Sequence, residues 1–114
     1  MTDNKDQLHI LHMSDAIKKI EAYTKGLTFA QFAKNEMDFD AVMMQFVIIG
    51  EAANQISDQF KEKHHSFPWH QAVGLRNQIA HGYFEIEPKI VWQTIQEDLS
   101  FLKKQLFEFK KTWK

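Results

Sequence analysis

Arg76 is the one arginine beside thirteen lysines, and it stands five residues before His81 and seven before Tyr83, one of two tyrosines. The string is Arg-Asn-Gln-Ile-Ala-His-Gly-Tyr. Arginine offers a permanently charged, planar fork of N–H donors that matches a phosphate, and histidine is the side chain whose proton moves near neutral pH. Together they suffice for cleaving a phosphodiester in RNA. There the 2′-hydroxyl of the substrate is the nucleophile once a base takes its proton, and an arginine stabilises charge growing on the phosphoryl oxygens. Neither a metal nor a protein nucleophile is required, and no cofactor is implied. The competing structural reading is a surface arginine followed by a helix-terminal histidine that interacts with the helix dipole.

Helix geometry supports the chemical reading and limits it. Asn77 and His81 are four apart and share a face, whereas Arg76 and His81 are five apart, about 140° around an ideal helix. A long side chain, a helix that loosens at Gly82, or a second copy of the motif across a two-fold axis would bring the guanidinium to an imidazole. The third route would supply two histidines, one as base and one as acid.

The elements that must carry these residues are helical. Ile10, Met13, Ile17 and Ile20 mark a first helix, with Gly26 as its stop. Thr28 is positioned to cap a short turn through Phe29 and Phe32. Asp38 or Asp40 then opens a long helix carrying Phe39 through Ile56 and on to Phe60. Its centre, VMMQFVIIGEAA, is apolar nearly all round and belongs at the middle of the bundle or against a second subunit. Ser66 and Pro68 announce a further helix from Trp69 to Gly82. GYFEIEP is a connector. Pro88 starts a last helix in which Trp92, Ile95, Leu99, Leu102, Leu106, Phe109 and Trp113 step by 3 and 4 along one seam. The expected fold is all-α: a single domain over residues 1–114, an up-and-down bundle of four principal helices plus a short extra one.

Composition narrows the function. The chain of 114 residues has no cysteine, which excludes disulfides, thiolate metal sites and cysteine nucleophiles. No apolar run reaches membrane-span length and the polar start MTDNKDQ is not a signal peptide, so the expected setting is the cytoplasm, away from the membrane. Net charge is −1, but Glu36 to Asp58 holds five acids and no lysine or arginine, while Lys61, Lys63, His64, His65, His70, Arg76 and His81 follow closely. Lys103, Lys104, Lys110, Lys111 and Lys114 make the C-terminus basic. This polarity suits steering of an anion, though solvated faces give the same pattern.

Other candidates read more plainly. Glu51 sits in a stretch too apolar to expose, which suggests a buried acid with a partner, Arg76 being one possibility, in a structural, interface or site-lining role. His9 and His12 lack a carboxylate at matching spacing and read as solvent-facing. His64 and His65 read as a polar loop that could touch RNA or a partner. Trp69 and Trp92 read as core, and Met43-Met44 as core or interface filler.

IGEAANQIS, then PWHQAVGLRNQIAHGYFEIEPKIVWQTIQEDL, with IEAY…G…F…F…DAV upstream, resembles the HepT toxin family of the HEPN superfamily over nearly the whole chain. That resemblance implies an all-helical HEPN bundle, usually dimeric, with a metal-independent ribonuclease site. It also implies a minimal nucleotidyltransferase antitoxin as partner. By position, Arg76 would bind the scissile phosphate and His81 would act as base or acid. Asn77 would orient His81 or the phosphate, and Tyr83 would receive AMP from the antitoxin. A phosphate-linked group two residues from His81 would compete with RNA by charge and volume. The alternative is a non-catalytic helical domain that binds a nucleotidyltransferase or a nucleotide.

Overall fold

The computed structural model describes residues 4–113. Lys114, counted above in the basic C-terminus, and Met1–Asp3 of the polar start lie outside the described residues. Among the described residues there is no strand. The all-α bundle expected from the spacing is what forms, with more breaks than the spacing suggests. Its elements are α1 (Asn4–Thr24), α2 (Phe29–Lys34), α3 (Glu36–Gln55), α4 (Asp58–Lys63), α5 (Trp69–Gly82), α6 (Pro88–Glu97) and α7 (Leu99–Lys111), with a 3-10 turn at Tyr83–Glu85.

The first hairpin follows local rules. Ile10, Met13, Ile17 and Ile20 are fully buried along α1, and Gly26 takes a φ of 76° in the turn beyond its end, where a side chain would be strained. Thr28 then caps α2 in a capping box: its hydroxyl accepts from the Gln31 backbone N–H at 3.2 Å, and Gln31 Oε1 accepts from the Thr28 N–H at 2.9 Å.

α3 is the central helix, packed on α1 along one side and on α5 along the other. It is opened by Asn35, whose Oδ1 accepts from the Asp38 N–H at 3.0 Å, and not by Asp38 or Asp40. Nor does it run on to Phe60. Ile56 leaves the helical region at φ −65°, ψ 139°, and Ser57 caps the separate α4 by accepting from the Phe60 N–H. The break is held from α1: Asp6, 3% exposed, accepts from the Ser57 N–H at 2.8 Å and the Ser57 hydroxyl at 2.6 Å. Buried backbone and carboxylate groups must find partners, and here they find each other.

Pro88 takes the first turn of α6, where its missing N–H costs nothing. The expected single C-terminal helix is interrupted at Asp98, which closes α6 and precedes α7. One turn earlier the Thr94 hydroxyl donates to the Ile90 carbonyl at 3.0 Å, a back-bond that bends helices. The seam stays in phase across the interruption, with Ile95, Leu99, Leu102, Leu106 and Phe109 buried and Trp92 and Trp113 partly so.

The aromatic residues gather at two ends. Phe32 lies 5.2 Å from Trp92 and 5.8 Å from Phe39 by ring centroid. At the other end Trp69 is buried and donates its indole N–H to the His64 carbonyl at 3.0 Å. His64 is not an open loop residue. It follows α4 with its ring 4.4 Å from Phe60 and 4.6 Å from Phe109, while His65 is exposed. No helix is long and apolar enough to cross a membrane among the described residues.

Candidate functional site

Arg76, Asn77 and Glu51 come together where α3 crosses α5, and a glycine makes the crossing close. A Cβ at Gly50 would stand 2.8 Å from the Ala72 carbonyl oxygen and nearer still to the Arg76 Cβ. A glycine inside a helix costs about 0.5–1 kcal/mol relative to alanine. Here its bare backbone lets the α5 face bearing Ala72 and Arg76 lie directly on α3.

That contact sets Arg76 against the next residue of α3. The Arg76 Nε–H donates to Glu51 Oε1 in a short, charge-assisted hydrogen bond, and Nη1 donates to Asn77 Oδ1 at 2.7 Å. Two of the five guanidinium N–H groups are thereby committed, leaving Nη2 and one N–H of Nη1 uncommitted. Glu51 does pair with Arg76, but it is not buried: the Glu51 and Arg76 side chains are 47% and 35% exposed. An ion pair this open contributes about 0–1 kcal/mol to stability. Its effect is to fix the direction of the fork.

His81, near the C-terminal end of α5, is exposed and makes no hydrogen bond or ring contact among the described residues. It does not meet Arg76 of its own chain. Asn77, expected to face His81, turns its amide oxygen to Arg76 instead. His81 lines a groove between α5 and α6, one lobe of about 370 Å³, with Gln78, Gly82, Glu85, Ile86 and Ile90. A second lobe of about 360 Å³ continues toward α7, and the two share Phe46, Leu75 and Thr94.

α5 runs through Gly82, and the chain then tightens into the 3-10 turn at Tyr83–Glu85. This turn points Tyr83 back at the first turns of α3. Its ring meets Phe39 edge-on at 6.1 Å, and its hydroxyl donates a short hydrogen bond to Asp40 Oδ1. Burial, and then the bond and negative charge of Asp40, push the Tyr83 pKa up to about 12, so the phenol is protonated at neutral pH.

The other candidates fall outside this region. His12 is exposed and His9 half-buried, their rings 6.2 Å apart. No group of three or more His, Asp or Glu side chains is arranged to hold a metal among the described residues. The methionine pair divides: Met43 is core and Met44 is exposed. Sequence reading missed two residues, Gly50 and Asp40. Gly50 carried a usable signal, since a glycine inside an apolar helix calls for a close neighbour. Asp40 carried none, because its partner lies 43 residues away.

Comparison with known proteins agrees with the helical architecture. The family model of HepT-like ribonucleases matches residues 13–109. A probable ribonuclease HepT from Thermococcus cleftensis is 32% identical over 108 residues, covering 95% of this chain and 96% of that protein. A putative RNase of Methanocaldococcus jannaschii is 38% identical over 84 residues, covering 74% of this chain and 77% of its own. A putative RNase of Caldanaerobacter subterraneus is 36% identical over 84 residues, 74% and 75% of the two chains. No solved structure matches the chain. With its model match across most of the α1–α7 bundle, this chain belongs to the HepT-like ribonuclease family.

Proposed function

We propose that this protein is an RNA endonuclease, the toxin of a toxin–antitoxin pair, whose site is built from Arg76 and His81 of a homodimer in the cytoplasm. The observation that carries this reading is a division of labour on α5. Arg76 is clamped by Glu51 and Asn77 with one edge free, while His81, a turn and a half further on, is exposed and makes no hydrogen bond among the described residues. A clamped cation suits charge stabilisation, and an uncommitted imidazole suits proton transfer. The names of the relatives support the same class of substrate.

In the proposed reaction the free edge of Arg76 binds the non-bridging oxygens of the scissile phosphate. One imidazole removes the 2′-hydroxyl proton as that oxygen attacks phosphorus. The bond to the 5′-oxygen breaks, and a second imidazole donates a proton to the leaving oxygen. The products are a 2′,3′-cyclic phosphate and a free 5′-hydroxyl, with no metal and no protein nucleophile in the sequence. Because Arg76 and His81 of one chain do not meet, the partner copy supplies the complement.

Silencing falls to a minimal nucleotidyltransferase antitoxin that attaches AMP to Tyr83. The adenylate puts bulk and negative charge beside Gly82 and His81, where it competes with RNA.

The test is cleavage of RNA by purified protein in excess chelator. His81→Ala should lower the rate by about 10²- to 10⁴-fold, the usual worth of a general acid–base group. Equal cleavage by both would trace the activity to a contaminant. It would leave the non-catalytic partner domain as the better reading. In the same assay Tyr83→Phe should escape silencing while still binding the antitoxin; unchanged silencing would mean simple occlusion.

A further inference from the structure

We propose that Asp40 is the general base for nucleotidyl transfer to Tyr83, so that the target of the modification, and not the modifying partner, carries the residue that takes the phenolic proton. This rests on Tyr83 being the acceptor, as proposed above. The observation is a juxtaposition: the Tyr83 hydroxyl donates to Asp40 Oδ1 of the same chain. Two separate parts of the fold produce it. The Asn35 cap sets the start of α3 and hence the angular position of Phe39 and Asp40, and the 3-10 turn after α5 delivers the tyrosine. Phe39 holds the ring edge-on while Asp40 holds the hydroxyl, so the phenol is fixed at both ends.

A base is needed because this phenol ionises reluctantly. With a pKa of about 12, only roughly one molecule in 10⁵ carries the phenolate at pH 7. Attack must therefore proceed with removal of the proton. In the step, Tyr83 Oη forms a bond to the α-phosphorus of a nucleoside triphosphate held by the partner. The bond from that phosphorus to the bridging oxygen breaks, and diphosphate leaves with the electron pair. The phenolic proton passes to the Asp40 carboxylate, which is exposed in the uncovered chain and returns the proton to water once the partner leaves.

The surroundings suit a protein partner. Met37 and Met44 lie three residues before and four after Asp40, one turn to either side on the same face of α3. Phe84 meets the Tyr83 ring at 5.5 Å. All three are apolar and open, Met37 at 83% and Phe84 at 98% exposure. They frame the phenol–carboxylate pair with surface that a docked nucleotidyltransferase would cover.

The experiment is single-turnover transfer from α-labelled ATP, with the full chain and its nucleotidyltransferase, read by intact mass. Asp40→Asn keeps a hydrogen-bond acceptor but cannot take a proton. It should slow labelling by about 10²- to 10⁴-fold at pH 7, and the rate should then climb about tenfold per pH unit as phenolate forms. Asp40→Glu restores the carboxylate and should recover part of the rate. Wild-type labelling and pH profile in Asp40→Asn would overturn the proposal while leaving Tyr83 as acceptor. Equal losses in both variants, with matching loss of thermal stability, would reduce Asp40 to scaffolding and overturn it too. If Tyr83→Phe is labelled as well as wild type, the acceptor itself is wrong and the proposed control falls with it.

Discussion

His64 shows how one side chain can be polar in sequence and structural in the fold. Its ring lies against Phe60 and Phe109, and burial, with the charge of Lys63 beside it, holds its pKa below the ordinary 6.5. The unfolded chain therefore takes up this proton at higher pH than the folded one. The stabilisation from the neutral ring is complete above pH 6.5 and is lost as pH falls through the lowered folded pKa. His64→Phe should keep the packing and flatten stability against pH below 6.5, measured by denaturant melts at a series of pH values. At this scale legibility tracked rarity and distance. Arg76, His81 and Tyr83 stood out because each is scarce or closely spaced with the others. The Asp40–Tyr83 bond was invisible because its ends lie on elements whose relative placement only the fold decides. Glu51 was misjudged as buried for a related reason: an apolar neighbourhood in sequence surrounds a helix, and one face of α3 beside the crossing still opens to solvent.

At the scale of elements, Gly50 is the residue on which the α3–α5 crossing depends. Gly50→Ala gains about 0.5–1 kcal/mol of helix propensity. It must also insert a methyl 2.8 Å from the Ala72 carbonyl and against the Arg76 Cβ, neither of which is the free end of a flexible chain. Overpacking of this kind costs about 1–3 kcal/mol, so the steric effect wins. The expected outcome is a lower Tm and a larger proportional loss of RNA cleavage than of stability, because α5 moves Arg76 away from Glu51. A substitution that raises Tm would place the crossing under less constraint than the geometry requires. The helices themselves were legible wherever caps announce them, as at Thr28 and Pro88. The breaks were not. Ile56 and Phe60 are four apart, and the α6–α7 seam keeps its 3-and-4 steps through Asp98, so hydrophobic spacing reads straight across both joints. Spacing records which face is apolar, whereas the joints are decided by backbone dihedrals and by partners such as Asp6.

For the whole molecule, the separation of Arg76 from His81 makes a composite site the expectation. Chains carrying Arg76→Ala and chains carrying His81→Ala should each be inactive alone and should regain part of the cleavage when refolded together, since in the proposed dimer a mixed pair restores one arginine beside one imidazole and lacks only the second imidazole. Failure to regain activity would mean that each site is complete within one chain. The groove beside His81 bears on how such a molecule moves. α5 rests chiefly on α3, has Trp69 and Ile79 as its buried residues, stacks Trp69 on Phe109 of α7 at 6.1 Å, and beyond that first turn faces α6 and α7 across the two-lobed groove. α1 and α3, by contrast, share a long interface within the core. A helix supported mainly along one side opens at lower free energy than helices packed on several. In amide hydrogen exchange α5 would thus lose protection ahead of α1 and α3, so that the segment with the proposed catalytic pair unfolds locally before the two helices at the centre of the core.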